Sequence, residues 1–251
     1  MKKKVLLLAL LSVFILTGCQ AKQTTDNTPA QRAEMISKNQ KKWNVKVNSA
    51  KKIDQSALKK AFTTVPQGYD DTEMSWSRLK NGNRYLVEGQ VINLQPMLGR
   101  SYLTETKATI YVKKVIGGDK SLQGKLVKTV LPGGLAEAKD AYLDVNGQYI
   151  GKQFGITDPK TLTYATDVTS PLPRIGQELV IGLGKYQPEN ANREQMYAKF
   201  GLTTKNFYPL NNQDVTFWVK KKGKFYLNNP AFTEKKYPNL FKVTEILNRR
   251  L

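Results

Sequence analysis

A single cysteine, Cys19, is the only thiol in a chain of 251 residues, so no internal disulfide can close any loop. Whatever folds here must be held by a buried apolar core and a hydrogen-bonded backbone alone. The supply is sufficient: 40% of the residues are hydrophobic at a mean hydropathy of −0.48, as in an ordinary globular chain of this length. There is no histidine. Its absence removes Ser-His-Asp triads, imidazole metal ligands and the commonest general base near neutral pH. The Gly-rich phosphate loops and the Gly-x-Ser-x-Gly nucleophile turn are missing too, and no cofactor is expected.

The position of the cysteine matters as much as its number. Lys2, Lys3 and Lys4 precede an apolar run, Val5 to Leu16. The run is too short for a ~30 Å hydrocarbon core, which needs roughly 20 residues, and reads as an export signal. It leads directly into Leu16-Thr17-Gly18-Cys19. These four residues resemble the lipobox of bacterial lipoproteins, in Gram-positive style. The resemblance implies a signal peptide over 1–18, a diacylglyceryl thioether on Cys19 and anchoring to the outer face of the cell membrane. Two acyl chains on one residue meet the two-signal condition for stable anchoring. The alternative is a buried free cysteine behind an ordinary signal peptide.

Loss of the leader lowers the formal charge from +20 to +17. Residues 19–83 carry 12 basic against 6 acidic side chains, 84–184 carry 12 against 9, and 185–251 carry 13 against 5. For an exported chain the anionic partners in reach are phospholipid head groups and wall polymers rather than nucleic acid. A basic surface that only maintains solubility is the competing explanation.

Residues 19–42 are polar, contain Pro29 and lack a sustained apolar period, which predicts a flexible tether. Residues 43–251 are expected to form one globular domain. Asp54 is a fair cap for a short helix through Ala57, Leu58, Ala61 and Phe62. From Arg84 the pattern turns strand-like, with strands expected at 85–94, 108–116, 124–131 and 176–183. Gly89 in the first of these marks a bulge or corner. Short strands with glycine corners point to a small barrel. The run V-x-G-x-V, then V-I-G-G-D-K-S-L, K-L-V-K-T-V-L-P-G-G and I-G-Q-E-L-V over residues 84–184 resembles an uncharacterised OB-like β-barrel domain of exported proteins. That likeness implies fold rather than activity. Further on, Met196, Tyr197 and Phe200 sit at helical spacing before Gly201, residues 214–228 read as a hairpin turning at Lys222-Gly223, and Asn239 is expected to cap a last helix with Leu240, Val243, Ile246 and Leu247 as its apolar stripe. The fold class is therefore mainly β, α+β: an OB-like barrel with flanking helices and a C-terminal hairpin plus helix.

Three stretches carry possible chemistry. Asp144-Val145-Asn146-Gly147 has part of a calcium-loop pattern without the acidic residues that register needs, so it reads as a β-turn. Asp70, Asp71 and Glu73 could pair for acid–base hydrolysis at the envelope. The densest aromatic and basic interleaving is Val215 to Leu227: alternation puts Trp218 beside Lys220, with Tyr226 across the turn. This predicts either inward packing or an exposed aromatic shelf of Trp218 and Tyr226 rimmed by Lys220, Lys221, Lys222 and Lys224, stacking on a sugar or base. The resulting expectation is a non-catalytic binding or interaction module at the cell surface, for anionic envelope polymers or another envelope protein. An envelope hydrolase or an accessory subunit of an envelope complex is the alternative.

Overall fold

The computed structural model describes residues 28–52, 69–165 and 169–251. The leader, Cys19 and the helix expected after Asp54 lie outside these residues. Among the described residues no helix is long and apolar enough to cross a membrane.

The first element corrects the expected tether. Helix α1 spans Pro29–Ser49, starting on Thr28, whose hydroxyl accepts from the Gln31 N–H at 3.3 Å while the Gln31 side-chain oxygen accepts from the Thr28 N–H at 2.9 Å. This capping box, with proline in the first turn, is a strong start signal. The apolar stripe escaped notice because Ile36, Trp43 and Val47 are interrupted by polar Asn39, which itself docks, donating to the Ile92 carbonyl at 3.0 Å. Arg32 adds a guanidinium 4.0 Å from the centre of the Tyr111 ring.

Two sheets follow. The larger is antiparallel with strand order β4-β3-β2-β7-β8-β9, where β2 is Tyr85–Pro96, β3 Glu105–Gly118, β4 Leu126–Pro132, β7 Glu178–Leu183, β8 Phe217–Lys221 and β9 Lys224–Leu227. The smaller has order β1-β6-β5, with β1 Lys51–Lys52, β5 Gly134–Glu137 and β6 Leu162–Ala165. The fold is thus mainly β in an α+β arrangement, with flanking helices and a C-terminal hairpin plus helix. The barrel does not close: both sheets are open. The side of β7 away from β2 is taken by β8, with Leu179 opposite Val219 and Ile181 opposite Phe217, and among the described residues the edge of β4 away from β3 meets an isolated parallel bridge from Lys128 to Phe207. The hairpin extends the sheet where a barrel would have joined its edges.

The central strands are buried on both faces. Tyr85, Val87, Leu179, Ile181, Phe217 and Val219 face a core beneath α1 and the small sheet, whereas Leu86, Val180 and Trp218 face a second core. That second core lies under α2 (Trp76–Asn81) and α5 (Pro238–Arg250), to which Leu79, Leu240, Val243 and Leu247 belong. Side chains alternate across a strand, so such two-sided burial requires continuous apolar runs, as in Tyr85-Leu86-Val87 and Phe217-Trp218-Val219. Gly89 does mark a bulge: the register with β3 shifts between Glu88 and Gly89. A short α3 (Ala138–Ala141) follows β5, and α4 (Ala191–Ala198) is capped by Asn190, which accepts from Arg193 N–H at 2.9 Å. Tyr197 of α4 joins Met97, Tyr186, Leu202 and Phe207 in a third apolar cluster.

Candidate functional site

The β8–β9 hairpin turns at Lys222 and Gly223, whose φ angles of 47° and 82° are the two left-handed positions of a type I′ turn. The turn falls where the sequence puts it, but the aromatic shelf does not form. A two-residue turn sets Val219 opposite Tyr226 and Trp218 opposite Leu227, so Trp218 and Tyr226 lie on opposite faces. Trp218 is fully buried against α5, its indole N–H donating to the Thr244 hydroxyl at 2.9 Å. Tyr226 is 48% exposed on the other side. Lys220 is drawn inward to Glu178, at 2.8 Å, and Lys113 contacts the other oxygen of the same carboxylate. Burial pushes that carboxyl up, but hydrogen bonds and charge from Lys113 and Lys220 outweigh burial and leave Glu178 below the usual range. Lys221, Lys222 and Lys224 are exposed, and Tyr226 shares the face of Lys221 and Lys224, but with Trp218 buried on the opposite face no two-ring shelf forms.

The three loop carboxylates do not converge either. Asp70 accepts from the Thr72 N–H at 2.9 Å, which with the Thr72 hydroxyl holds its carboxyl below the ordinary range. Glu73 is turned to Arg78. Asp71 is buried and caps α5, accepting from the N–H groups of Asn239 at 2.7 Å and Leu240 at 3.0 Å. The expected cap, Asn239, therefore lies one residue inside the helix, and its amide donates to the Asp71 carbonyl at 3.0 Å. Asp144 is likewise committed to a turn, its carboxylate accepting from the N–H groups of Asn146 at 2.9 Å and Gln148 at 2.8 Å. Among the described residues no group of three acidic, histidine or cysteine side chains could hold a metal ion.

One groove is a surface that sequence reasoning missed, because it requires α1 where a tether was expected. The C-terminal half of α1 and the end of β2 enclose an open groove of about 750 Å³. Lys41, Lys42 and Lys46 rise along the helix wall, Asn93 and Gln95 face them from β2, and Trp43, Leu94, Pro96, Leu98 and Phe200 supply an apolar floor. No carboxylate lines it. Behind Phe200, the Lys107 ammonium donates to the Phe200 carbonyl at 2.6 Å; burial, helped by the charge of Lys128, lowers its pKa. The volume falls within the 300–1,000 Å³ of ordinary ligand clefts. A run of lysines with i, i+1, i+5 spacing at this position was visible in the sequence and would have identified the wall once the helix was recognised.

No family model, no curated protein and no solved structure matches this chain.

Proposed function

We propose that this is an exported lipoprotein, anchored by lipid on Cys19 to the outer face of the membrane, whose domain binds anionic envelope polymer without catalysing a reaction. The observation that carries the reading is the groove between α1 and β2, walled by Lys41, Lys42 and Lys46 and lined by no acidic side chain. Its chemistry suits a chain of phosphate or carboxylate groups joined by polyol or sugar units. The lysines meet the charge, the Asn93 and Gln95 amides offer donors and acceptors to hydroxyls, and Trp43 and Leu98 cover the ring or carbon skeleton. Lys221, Lys222 and Lys224 are exposed at a two-residue turn and contribute a diffuse field only.

The test is binding of the full chain to isolated anionic wall polymer at low salt, with Lys41, Lys42 and Lys46 all changed to Gln. At about 1 kcal/mol per lysine, affinity should fall on the order of 100-fold and the salt dependence should flatten. Changing Lys221, Lys222 and Lys224 to Gln should leave it within a few-fold. Equal affinity in the two triple variants would defeat the groove assignment. The anchor is tested separately: Cys19→Ala should release the protein from the membrane fraction, and retention there would show that the lipobox reading is wrong.

A further inference from the structure

At the α1 C-terminal end of the molecule two loops expose apolar side chains together. The β2–β3 loop presents Leu98, 39% exposed, Tyr102, 57%, and Leu103, 48%; the insertion between α3 and β6 presents Val145, 97%, and Phe154, 40%. The loops are stitched to one another. Asp140, itself buried, accepts from the Gly99 N–H at 3.1 Å and gives its carbonyl to the Tyr102 N–H at 2.9 Å, while the Tyr102 hydroxyl donates to the Asp144 carbonyl at 3.1 Å.

The arrangement inverts that of a solvent-facing loop. Arg100, the only charged residue between Leu98 and Leu103, is turned inward: its side chain is 9% exposed, paired with Glu105 and stacked 5.4 Å from the Tyr197 ring. Its apolar neighbours point out. Tyr102 holds φ at 64°, a conformation rare for a bulky residue and kept where surroundings impose it. Val145 is held outward by the Asp144 turn and by Gly147 at φ 79°. Clustered exposed apolar groups on a rigid frame mark a contact surface.

We infer that this tip is a second membrane contact, inserting Tyr102, Leu103 and Val145 into the head-group region of the bilayer that carries the Cys19 anchor. The inference rests on the proposed lipid anchoring. Three observations favour a bilayer as occupant. Lys42 and Lys46 line the groove with Leu98, so cations border the apolar tip on that side, as they must to meet an anionic leaflet, while the Asp144 carboxylate next to Val145 is already held by the N–H groups of Asn146 and Gln148. Tyrosine with aliphatic neighbours is the side-chain set of the interfacial layer. The geometry also allows both contacts at once. Helix α1 runs from Arg32, over Tyr111, to Lys46, which lines the groove with Leu98, so its start lies about 25 Å from that end of the groove at 1.5 Å per residue. The nine residues from Cys19 to Thr28 span at most about 30 Å. A domain so tethered can lie with α1 along the surface, and the high local concentration lets a weak insertion suffice.

The test uses the full chain carrying Val145→Trp, coupled through Cys19, its sole thiol, to a maleimide phospholipid in vesicles of equal parts phosphatidylglycerol and phosphatidylcholine. Val145 is almost wholly exposed, so the change leaves the fold intact. Trp43, Trp76 and Trp218 are subtracted with the unsubstituted chain. Insertion is expected to shift the added emission to the blue and to give roughly twofold or greater quenching by brominated acyl chains. Adding Leu103→Asp should abolish both effects. Emission that stays at its value in buffer and ignores bromine, as it would if the tip were reserved for a protein partner, overturns the inference; so does quenching that Leu103→Asp leaves unchanged. Because coupling is chemical, the result does not depend on whether the cell acylates Cys19, and failure of the anchor appears only in the Cys19→Ala fractionation.

Discussion

The indole N–H of Trp218 donates to the hydroxyl of Thr244 at 2.9 Å, and Thr244 passes its own hydrogen to the Leu240 carbonyl at 2.9 Å, joining strand β8 to helix α5 in one chain of bonds. Trp218 is fully buried there among Val180, Phe225 and Leu240. Trp218→Ala should therefore cost about 3–5 kcal/mol through the cavity it leaves. Trp218→Phe, which keeps most of the ring and loses the donor, should cost about 1–2 kcal/mol. Tyr226→Ala should stay within about 0.5 kcal/mol. Urea denaturation separates these outcomes, and a Trp218→Ala protein of native stability would contradict the buried assignment.

That pair also shows how far the sequence could be read. The long strands were legible because β-branched and aromatic runs bounded by glycine leave few other options, although the short β5 and β6 were not foreseen, and the Lys222-Gly223 turn was legible because glycine accepts the positive φ that a type I′ turn needs. The faces were not. Phe217-Trp218-Val219 has no polar alternation, and a run buried on both sides looks the same in sequence as one with an exposed aromatic face. Barrel closure was illegible for a related reason: strand propensity says nothing about which edges meet, and β7 took the hairpin as its second neighbour. The groove was hidden behind α1, whose helical period is broken at Asn39 by a side chain that bonds rather than packs.

Asp71 reaches across 168 residues of sequence to cap α5. Removing its carboxylate orphans two N–H groups at the first turn of a buried helix, so Asp71→Ala should cost about 2 kcal/mol, the upper end for an N-cap. Asp70→Ala, which loses only an exposed turn bond to Thr72, should change stability by less than about 0.5 kcal/mol. Thermal unfolding of the two single variants checks this. Equal effects would mean that Asp71 does not act as the cap of α5.

Glycines at two positions should respond differently to alanine. A Cβ on Gly89 would stand 2.6 Å from Ile110 Cγ2 and 2.8 Å from the Tyr111 carbonyl oxygen, a backbone atom that cannot swing aside. Gly89→Ala should therefore lose about 1–3 kcal/mol through overpacking of the β2–β3 bulge. At Gly223 nothing lies within 4 Å, and only the φ of 82° opposes a side chain. Gly223→Ala should lose about 1 kcal/mol, and Gly223→Asn less, because asparagine tolerates the left-handed region. Denaturant midpoints for the three variants give the order directly.

Alkaline lability should come chiefly from two phenols, Tyr69 and Tyr142. Tyr69 is pushed up to about 12 by burial and then by the negative charge of Asp71; burial, with a smaller contribution from Tyr149, does the same for Tyr142. A raised folded pKa gives stability that is fully present below the unfolded value, about 10, and is lost as pH rises from there towards 12, because the unfolded chain ionises first. The Tyr69 hydroxyl is buried without a hydrogen-bond partner among the described residues, so Tyr69→Phe deletes a desolvated polar group rather than a bond. It should be neutral to slightly stabilising at pH 7. Above pH 10 the same variant should lose stability with a shallower slope than the parent, Tyr142 and the other phenols that burial raises, Tyr149, Tyr164, Tyr186 and Tyr208, supplying what is left. Denaturation midpoints measured from pH 7 to 12 read both effects, and an unchanged alkaline slope in Tyr69→Phe would show that this phenol already ionises freely in the folded protein.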